Sequence, residues 1–166
     1  TEEEFYTVFA NSLLKSTTTV WEEFVGGVKK YLGRLAPIVS ISDATQTYEL
    51  SFGIDFKDSR LSYDEILDLP QVIANDTKKR IVVCIDEFQN INEYEEPLAF
   101  QRKLRSHWQK HTSVCYCLYG SKRHMLLNIF NNYSMPFYKF GDILFLSKIE
   151  HAEWVTFISE RFADTG

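Results

Sequence analysis

The chain has 166 residues, 45% of them hydrophobic and 25% charged, with a formal net charge of −5, which suits one globular domain around a single core. Its 13 Phe, 9 Tyr and 3 Trp exclude a disordered polymer, and the acidic balance argues against a whole-surface grip on nucleic acid or an anionic membrane. No apolar run approaches the ~18 residues of a membrane-spanning helix, and the acidic opening Thr1-Glu2-Glu3-Glu4 carries no secretory pattern, so the expected location is the cytoplasm.

In chain order, Phe5, Val8, Phe9, Ser12 and Leu13 fall at helical spacing behind the opening acids, predicting a helix over 3–15. A second helix is expected over 18–33, with Gly33 as its stop and Gly26-Gly27 weakening it. Ile38–Ile41 reads as a short strand, and Tyr48, Leu50, Phe52 and Ile54 alternate with polar or small residues as a half-exposed one. The polar connection Ser42–Gln46 makes them a hairpin. Tyr63, Ile66, Leu67 and Val72 predict a helix around Pro70, whose ring pushes Leu69 out of the α region.

Then comes Ile81-Val82-Val83-Cys84-Ile85-Asp86-Glu87, five β-favouring apolar residues ending in two carboxylates. The run reads as a parallel-sheet strand buried on both faces, and open parallel sheets place ligands beyond the carboxyl ends of their strands. Neighbouring residues on a strand point to opposite faces, so one acid suits a metal ion and the other a water molecule. The competing reading is a strand end that faces solvent or caps the next helix. A helix over 96–110 with Phe100, Leu104 and Trp108 on one stripe follows, then a strand over Val114–Tyr119 ending in Gly120-Ser121. A basic helix over 122–130, a third apolar strand Ile143–Leu146 and an amphipathic helix through Glu153, Trp154, Phe157, Ile158 and Phe162 complete the chain. Strands alternating with helices indicate an α/β fold with a parallel sheet.

The acid-ended strand, with DEFQNI, LRSHWQKH, YGSKRHML, MPFYKFGDILFL and ERFADTG following in order over residues 80–166, resembles the Walker B half of P-loop ATPases of the AAA+/STAND type. The string is similar to the archaeal-type ATPase family of prokaryotes. The resemblance implies a parallel-sheet P-loop NTPase core with helices on both faces and a β-hairpin insertion before the Walker B strand. It implies ATP and Mg²⁺ as ligands, Asp86 holding the water shell of Mg²⁺, Glu87 activating the attacking water, and Ser121 as the sensor-1 hydroxyl. Phosphoryl transfer needs such groups because it rests on alignment and charge stabilisation; a hard oxygen suits Mg²⁺ and a carboxylate can accept the water's proton. Without the family context, Gly120-Ser121 would read as a strand-to-helix turn with Ser as N-cap.

The chain departs from the family in one respect: it has no Gly-rich loop ending in Gly-Lys-Ser/Thr. Gly26-Gly27 precedes Val28-Lys29-Lys30 within a helical pattern, and Gly120-Ser121-Lys122 has the wrong order. The expectation is an internal piece of a longer ATPase, with residues 1–150 a partial core whose phosphate-loop segment lies upstream and 151–166 the start of the helical lid.

Other constellations carry bland readings beside sharp ones. Arg102, Lys103, Arg105, Lys110, Lys122, Arg123 and His124 form either a basic patch for nucleic-acid phosphate or a neighbouring nucleotide, or a solvated face. Lys139 and Arg123 are further candidates for a phosphate contact. His107 and His111 have a metal-binding spacing without further ligands. The three cysteines, Cys84, Cys115 and Cys117, read as small buried hydrophobes of a reducing compartment, and Phe137, Tyr138 and Phe140 as core rather than a base-stacking platform. The leading function is ATP hydrolysis with a protein partner or attached effector domain. The alternatives are a non-hydrolysing interaction scaffold and a metal-dependent nuclease using Asp86 and Glu87, for which a further strand-borne acid is missing.

Overall fold

A computed structural model describes residues 1–17, 38–41, 48–51 and 62–164. The elements are α1 (Glu2–Thr17), β1 (Ile38–Ile41), β2 (Tyr48–Ser51), α2 (Tyr63–Thr77), β3 (Ile81–Ile85), a 3-10 helix (Phe88–Glu93), α3 (Pro97–Trp108), β4 (Val114–Leu118), α4 (Arg123–Asn131) and α5 (His151–Asp164). The architecture is mixed α/β. The predicted helix over 18–33, the turn 42–46 and the stretch of the second hairpin strand beyond Ser51 lie outside the described residues.

In α1 the buried side chains are Tyr6, Phe9, Ala10, Leu13 and Leu14, an i, i+3, i+4, i+7, i+8 stripe. The seam is rotated from the one the sequence suggested, because Val8 faces solvent and Tyr6 faces inward, where its ring stacks on Tyr63 at 4.3 Å. Helix α2 starts with a capping box: the Ser62 hydroxyl accepts from the Glu65 amide at 3.3 Å, and the Glu65 carboxylate accepts from the Ser62 amide at 2.8 Å. It ends at Lys78 in the left-handed region, φ 54°. Pro70 does not break it. Residue 70 is buried within the continuous helix Tyr63–Thr77, so tertiary packing of Ile66, Leu67, Leu69 and Ile73 outweighs the lost amide donor.

Strands β1 and β2 pair antiparallel, Ile38 opposite Ser51 and Ile41 opposite Tyr48, as the hairpin reading requires. Strands β3 and β4 pair in parallel, with Ile81 opposite Val114 and Ile85 opposite Leu118. The expectation of burial on both faces is corrected. Ile81, Val83, Ile85, Tyr116 and Leu118 pack against the core, while Val82, Cys84, Cys115 and Cys117 are exposed. Among the described residues helices cover one face of this sheet, so the cysteines are not the buried hydrophobes expected; alternation along the strands puts residues 82, 84, 115 and 117 together on the face the helices leave open.

The third strand is also corrected. Residues 143–146 make no strand, and Leu144 and Leu146 are 84% and 88% exposed. An apolar run becomes a strand only where another edge satisfies its backbone groups, and none among the described residues does. Helix α5 forms where predicted, but Trp154, Phe157 and Phe162 on its apolar side are exposed.

The core lies between α1, α2, α3 and the inner face of β3 and β4. Phe88, Phe100, Leu104, Trp108, Ile129 and Phe137 are buried there. Trp108 stacks on Tyr116 at 4.3 Å and Phe88 meets Phe137 edge-on at 5.4 Å, a mosaic of offset and T-shaped rings of the kind that aromatic quadrupoles favour. Phe137 thus serves the core.

Candidate functional site

The parallel register decides which groups meet. Beyond Ile85 the ladder continues through Tyr119 N–H to the Ile85 carbonyl, 3.1 Å, and Phe88 N–H to the Tyr119 carbonyl, 3.0 Å. These two bonds stitch the acid turn to the end of β4. Ser121 is thereby carried beside Glu87, and its hydroxyl donates to Glu87 Oε2 at 3.2 Å. Asp86 and Ser121 lie at the same edge of the sheet, as the sequence reading requires.

Glu87 occupies the left-handed region, φ 48° and ψ 40°, which costs a residue with a Cβ roughly 1–2 kcal/mol. Phe88 and Ile91, buried beneath the 3-10 helix, hold the turn in that shape. Asp86 Oδ1 accepts from the Glu87 amide at 2.7 Å, and the Glu87 carbonyl accepts from Asn90 N–H at 2.9 Å. Strain of this kind, held by surrounding packing, is a feature of working sites.

Gln89 is the residue that the sequence reading missed. Its side chain is fully buried, its Nε2 donates a short hydrogen bond to Glu87 Oε2, and its Oε1 has no partner. A buried acceptor left unpaired costs roughly 1–3 kcal/mol. Oε1 points at Gly120, where a Cβ would collide with it and would lie 3.2 Å from Glu87 Cα. The signal was a polar residue between Phe88 and Ile91 in a turn whose other inward positions are apolar.

Electrostatics follow the donors. Hydrogen bonds from Gln89 and then Ser121 hold the Glu87 carboxyl below its ordinary value, with a smaller contribution from Lys122. The negative charge of Asp86 pushes the Tyr119 phenol up. Lys122 lies 3.8 Å from Glu93.

Among the described residues no group of three His, Cys, Asp or Glu side chains is arranged to enclose a metal. The exposed Asp86 carboxylate instead suits an ion held by one protein oxygen and several waters, the manner of Mg²⁺ beside phosphate. An apolar groove of about 800 Å³ runs between α1 and β3, past Phe5, Val8 and Leu13, and ends at Asp86 without reaching Glu87 or Ser121.

Several of the basic residues are committed to contacts within the fold. Arg105 donates to the Pro136 and Tyr138 carbonyls, the latter at 2.8 Å. Lys103 is 3.2 Å from Asp64 and lies over the Tyr63 ring. Arg123 lies over Phe145 at 4.5 Å and Lys139 over Tyr138 at 5.3 Å, and no contact among the described residues ties either to the acids. His107 Nδ1 and His111 Nε2 converge on Asp68 Oδ1 at 2.7 and 3.2 Å, a pairing that locks α3 to α2.

No family model matches this chain, and no curated protein or solved structure matches it. The functional reading therefore rests on the residues and their geometry.

Proposed function

We propose that Asp86, Glu87 and Ser121 are the acid half of an ATP-hydrolysing site in a P-loop fold of the AAA+/STAND type. The observation that carries the reading is the Ser121 hydroxyl on the Glu87 carboxylate at 3.2 Å, beyond the carboxyl ends of two parallel strands, where α/β sheets bind ligands. Asp86 offers a hard anionic oxygen to the water shell of Mg²⁺, and the ion when bound neutralises charge on the phosphates. Glu87 orients the attacking water and takes its proton on a carboxylate oxygen. Ser121 turns its hydroxyl from Glu87 to the γ-phosphate. Arg123, two residues further on, and Lys139 are the cations offered for an additional phosphate contact, and the exposed Arg102 and Lys110 are those offered to nucleic acid.

The test is ATP hydrolysis by the complete gene product. Glu87→Gln should lower turnover about 10²–10⁴-fold with nucleotide binding nearly retained, since the amide keeps the shape and loses the proton acceptor. Asp86→Asn should weaken Mg²⁺-dependent binding, and Ser121→Ala should slow turnover more than it weakens binding. Wild-type turnover in Glu87→Gln refutes the assignment.

A second reading, a non-hydrolysing scaffold in a cytoplasmic assembly, draws on α5. Exposed Trp154, Phe157 and Phe162 make an apolar face of the kind that protein partners or attached effector domains cover.

A further inference from the structure

The face of β3 and β4 that the helices leave open carries all three cysteines of the chain, each a free, exposed thiol. The parallel register sets Cys84 directly opposite Cys117, and Cys115 opposite Val82. Paired residues on neighbouring strands project from the same side of the sheet, with their Cα atoms about 4.8 Å apart. A disulfide spans Cα separations of about 4.4–6.8 Å. Its Cβ atoms stand about 3.5–4.5 Å apart, so a small change of local sheet twist brings the Cys84 and Cys117 sulfurs together. Cys115 has no such partner. It lies two residues from Cys117 on one strand, where parallel side chains stand about 6.6 Å apart, and about 8 Å diagonally from Cys84. The pairing of Cys84 with Cys117 does not depend on their thiols. Ile81 N–H to the Ser113 carbonyl and Tyr119 N–H to the Ile85 carbonyl, both 3.1 Å, fix the ladder at its two ends, and Val83, Ile85, Tyr116 and Leu118 anchor its other face to the core. Cys84 also lines the groove between α1 and β3, which gives a small reagent a second approach.

We propose that Cys84 and Cys117 form a dithiol modification site, which a low-molecular-weight disulfide such as oxidised glutathione converts reversibly into a cross-strand disulfide while Cys115 stays outside the bond. The thiolate of one cysteine attacks a sulfur of oxidised glutathione, forming a mixed disulfide and releasing one reduced glutathione. The thiolate of the other then attacks the protein sulfur of that mixed disulfide and releases the second. The two cysteines give up two protons and two electrons, and oxidised glutathione takes them as two thiols. The exchange runs backwards when reduced thiol is in excess, because an exposed disulfide is open to attack. In a reducing compartment such a bond is transient and reports a rise in oxidant. The site is independent of the hydrolytic reading: it follows from the register of β3 with β4 and uses no group of the acid turn.

The experiment treats the complete gene product, at low protein concentration, with oxidised glutathione. Remaining thiols are alkylated, and tryptic peptides are read by mass spectrometry without reduction. The expected product is the peptide Ile81–Arg102 joined to His111–Lys122 within one chain, separating again on addition of dithiothreitol. Cys115→Ser should keep the joined peptide. Cys84→Ser and Cys117→Ser should each abolish it and leave glutathione on the surviving member of the pair. The unsubstituted chain carries the first test by itself, so the proposal stays falsifiable should a variant fail to fold. Cys84 and Cys117 both left as free thiols, or each carrying its own glutathione with no joined peptide, would overturn the site. So would a joined peptide that survives in Cys117→Ser, which would place the bond at Cys115, or one found only between two copies of the chain.

Discussion

Replacing Asp68 by alanine removes the carboxylate that joins α2 to α3. In the native arrangement one oxygen, Oδ1, accepts from His107 Nδ1 at 2.7 Å and from His111 Nε2 at 3.2 Å, while His111 Nδ1 accepts from the Tyr116 hydroxyl at 2.7 Å. The Tyr116 hydroxyl on Nδ1 places the His111 N–H on Nε2, facing Asp68, and His107 sits between two carboxylates, with Nε2 3.4 Å from Asp64 Oδ1. The substitution leaves both donors facing a void. The His111 side chain is only 3% exposed and that of His107 13%, so water replaces the lost partner poorly. Each buried unpaired donor costs about 1–3 kcal/mol. Asp68 itself is half exposed, which screens its charge, and the expected total is about 2–4 kcal/mol. For a chain of this size that is a fall in Tm of roughly 5–15 °C. Asp68→Asn, which keeps an acceptor oxygen and loses only charge, should lose about half as much. Urea and thermal unfolding near neutral pH measure both. A loss below about 0.5 kcal/mol in Asp68→Ala, the range of an ordinary surface substitution, would refute the argument that this carboxylate clamps two helices.

The same cluster sets an acid sensitivity with a defined sign. Burial pushes His111 below its ordinary 6.5, against the opposing pull of Asp68; burial pushes Asp68 up, but the hydrogen bonds from both imidazoles outweigh it and hold it below 3.8. Both groups bind protons more readily unfolded, so stability present at neutral pH should start to fall as pH drops past about 6.5 and fall further below about 3.8; urea midpoints rising on acidification would contradict this. Ser62→Ala should cost about 1 kcal/mol by breaking the capping box at the start of α2, read as a lower urea midpoint with an unchanged slope. Arg105→Met should cost about 1–3 kcal/mol, because the Pro136 and Tyr138 carbonyls lose a charged donor, and should leave any nucleic-acid affinity unmoved, since this cation is already committed within the fold.

How much was legible beforehand depends on whether a feature is local. The helices α1, α2 and α3, strands β3 and β4 and the acids Asp86 and Glu87 at a strand's end follow from periodicity and from abrupt changes of polarity, which are properties of neighbouring residues. So does the pairing of Ile38–Ile41 with Tyr48–Ser51, a hairpin across a short connection. Burial did not follow. A continuous run such as Ile81–Ile85 is equally compatible with one covered face or two, and only the placement of α1, α2 and α3 decides that Val82 and Cys84 face out. Ile143–Leu146 has the composition of a strand, yet a strand exists through hydrogen bonds to a second edge, and that edge is a property of the whole fold. The site divides in the same way. Residue types marked Asp86 and Glu87, and the family resemblance marked Ser121. The Ser121 hydroxyl on Glu87, Gly120 against Gln89, and Asp68 between His107 and His111 needed the tertiary structure, because the parallel register of β3 with β4 and the packing of α2 on α3 bring together groups separated by up to 43 residues, and no local pattern encodes which distant side chain will share a carboxylate oxygen.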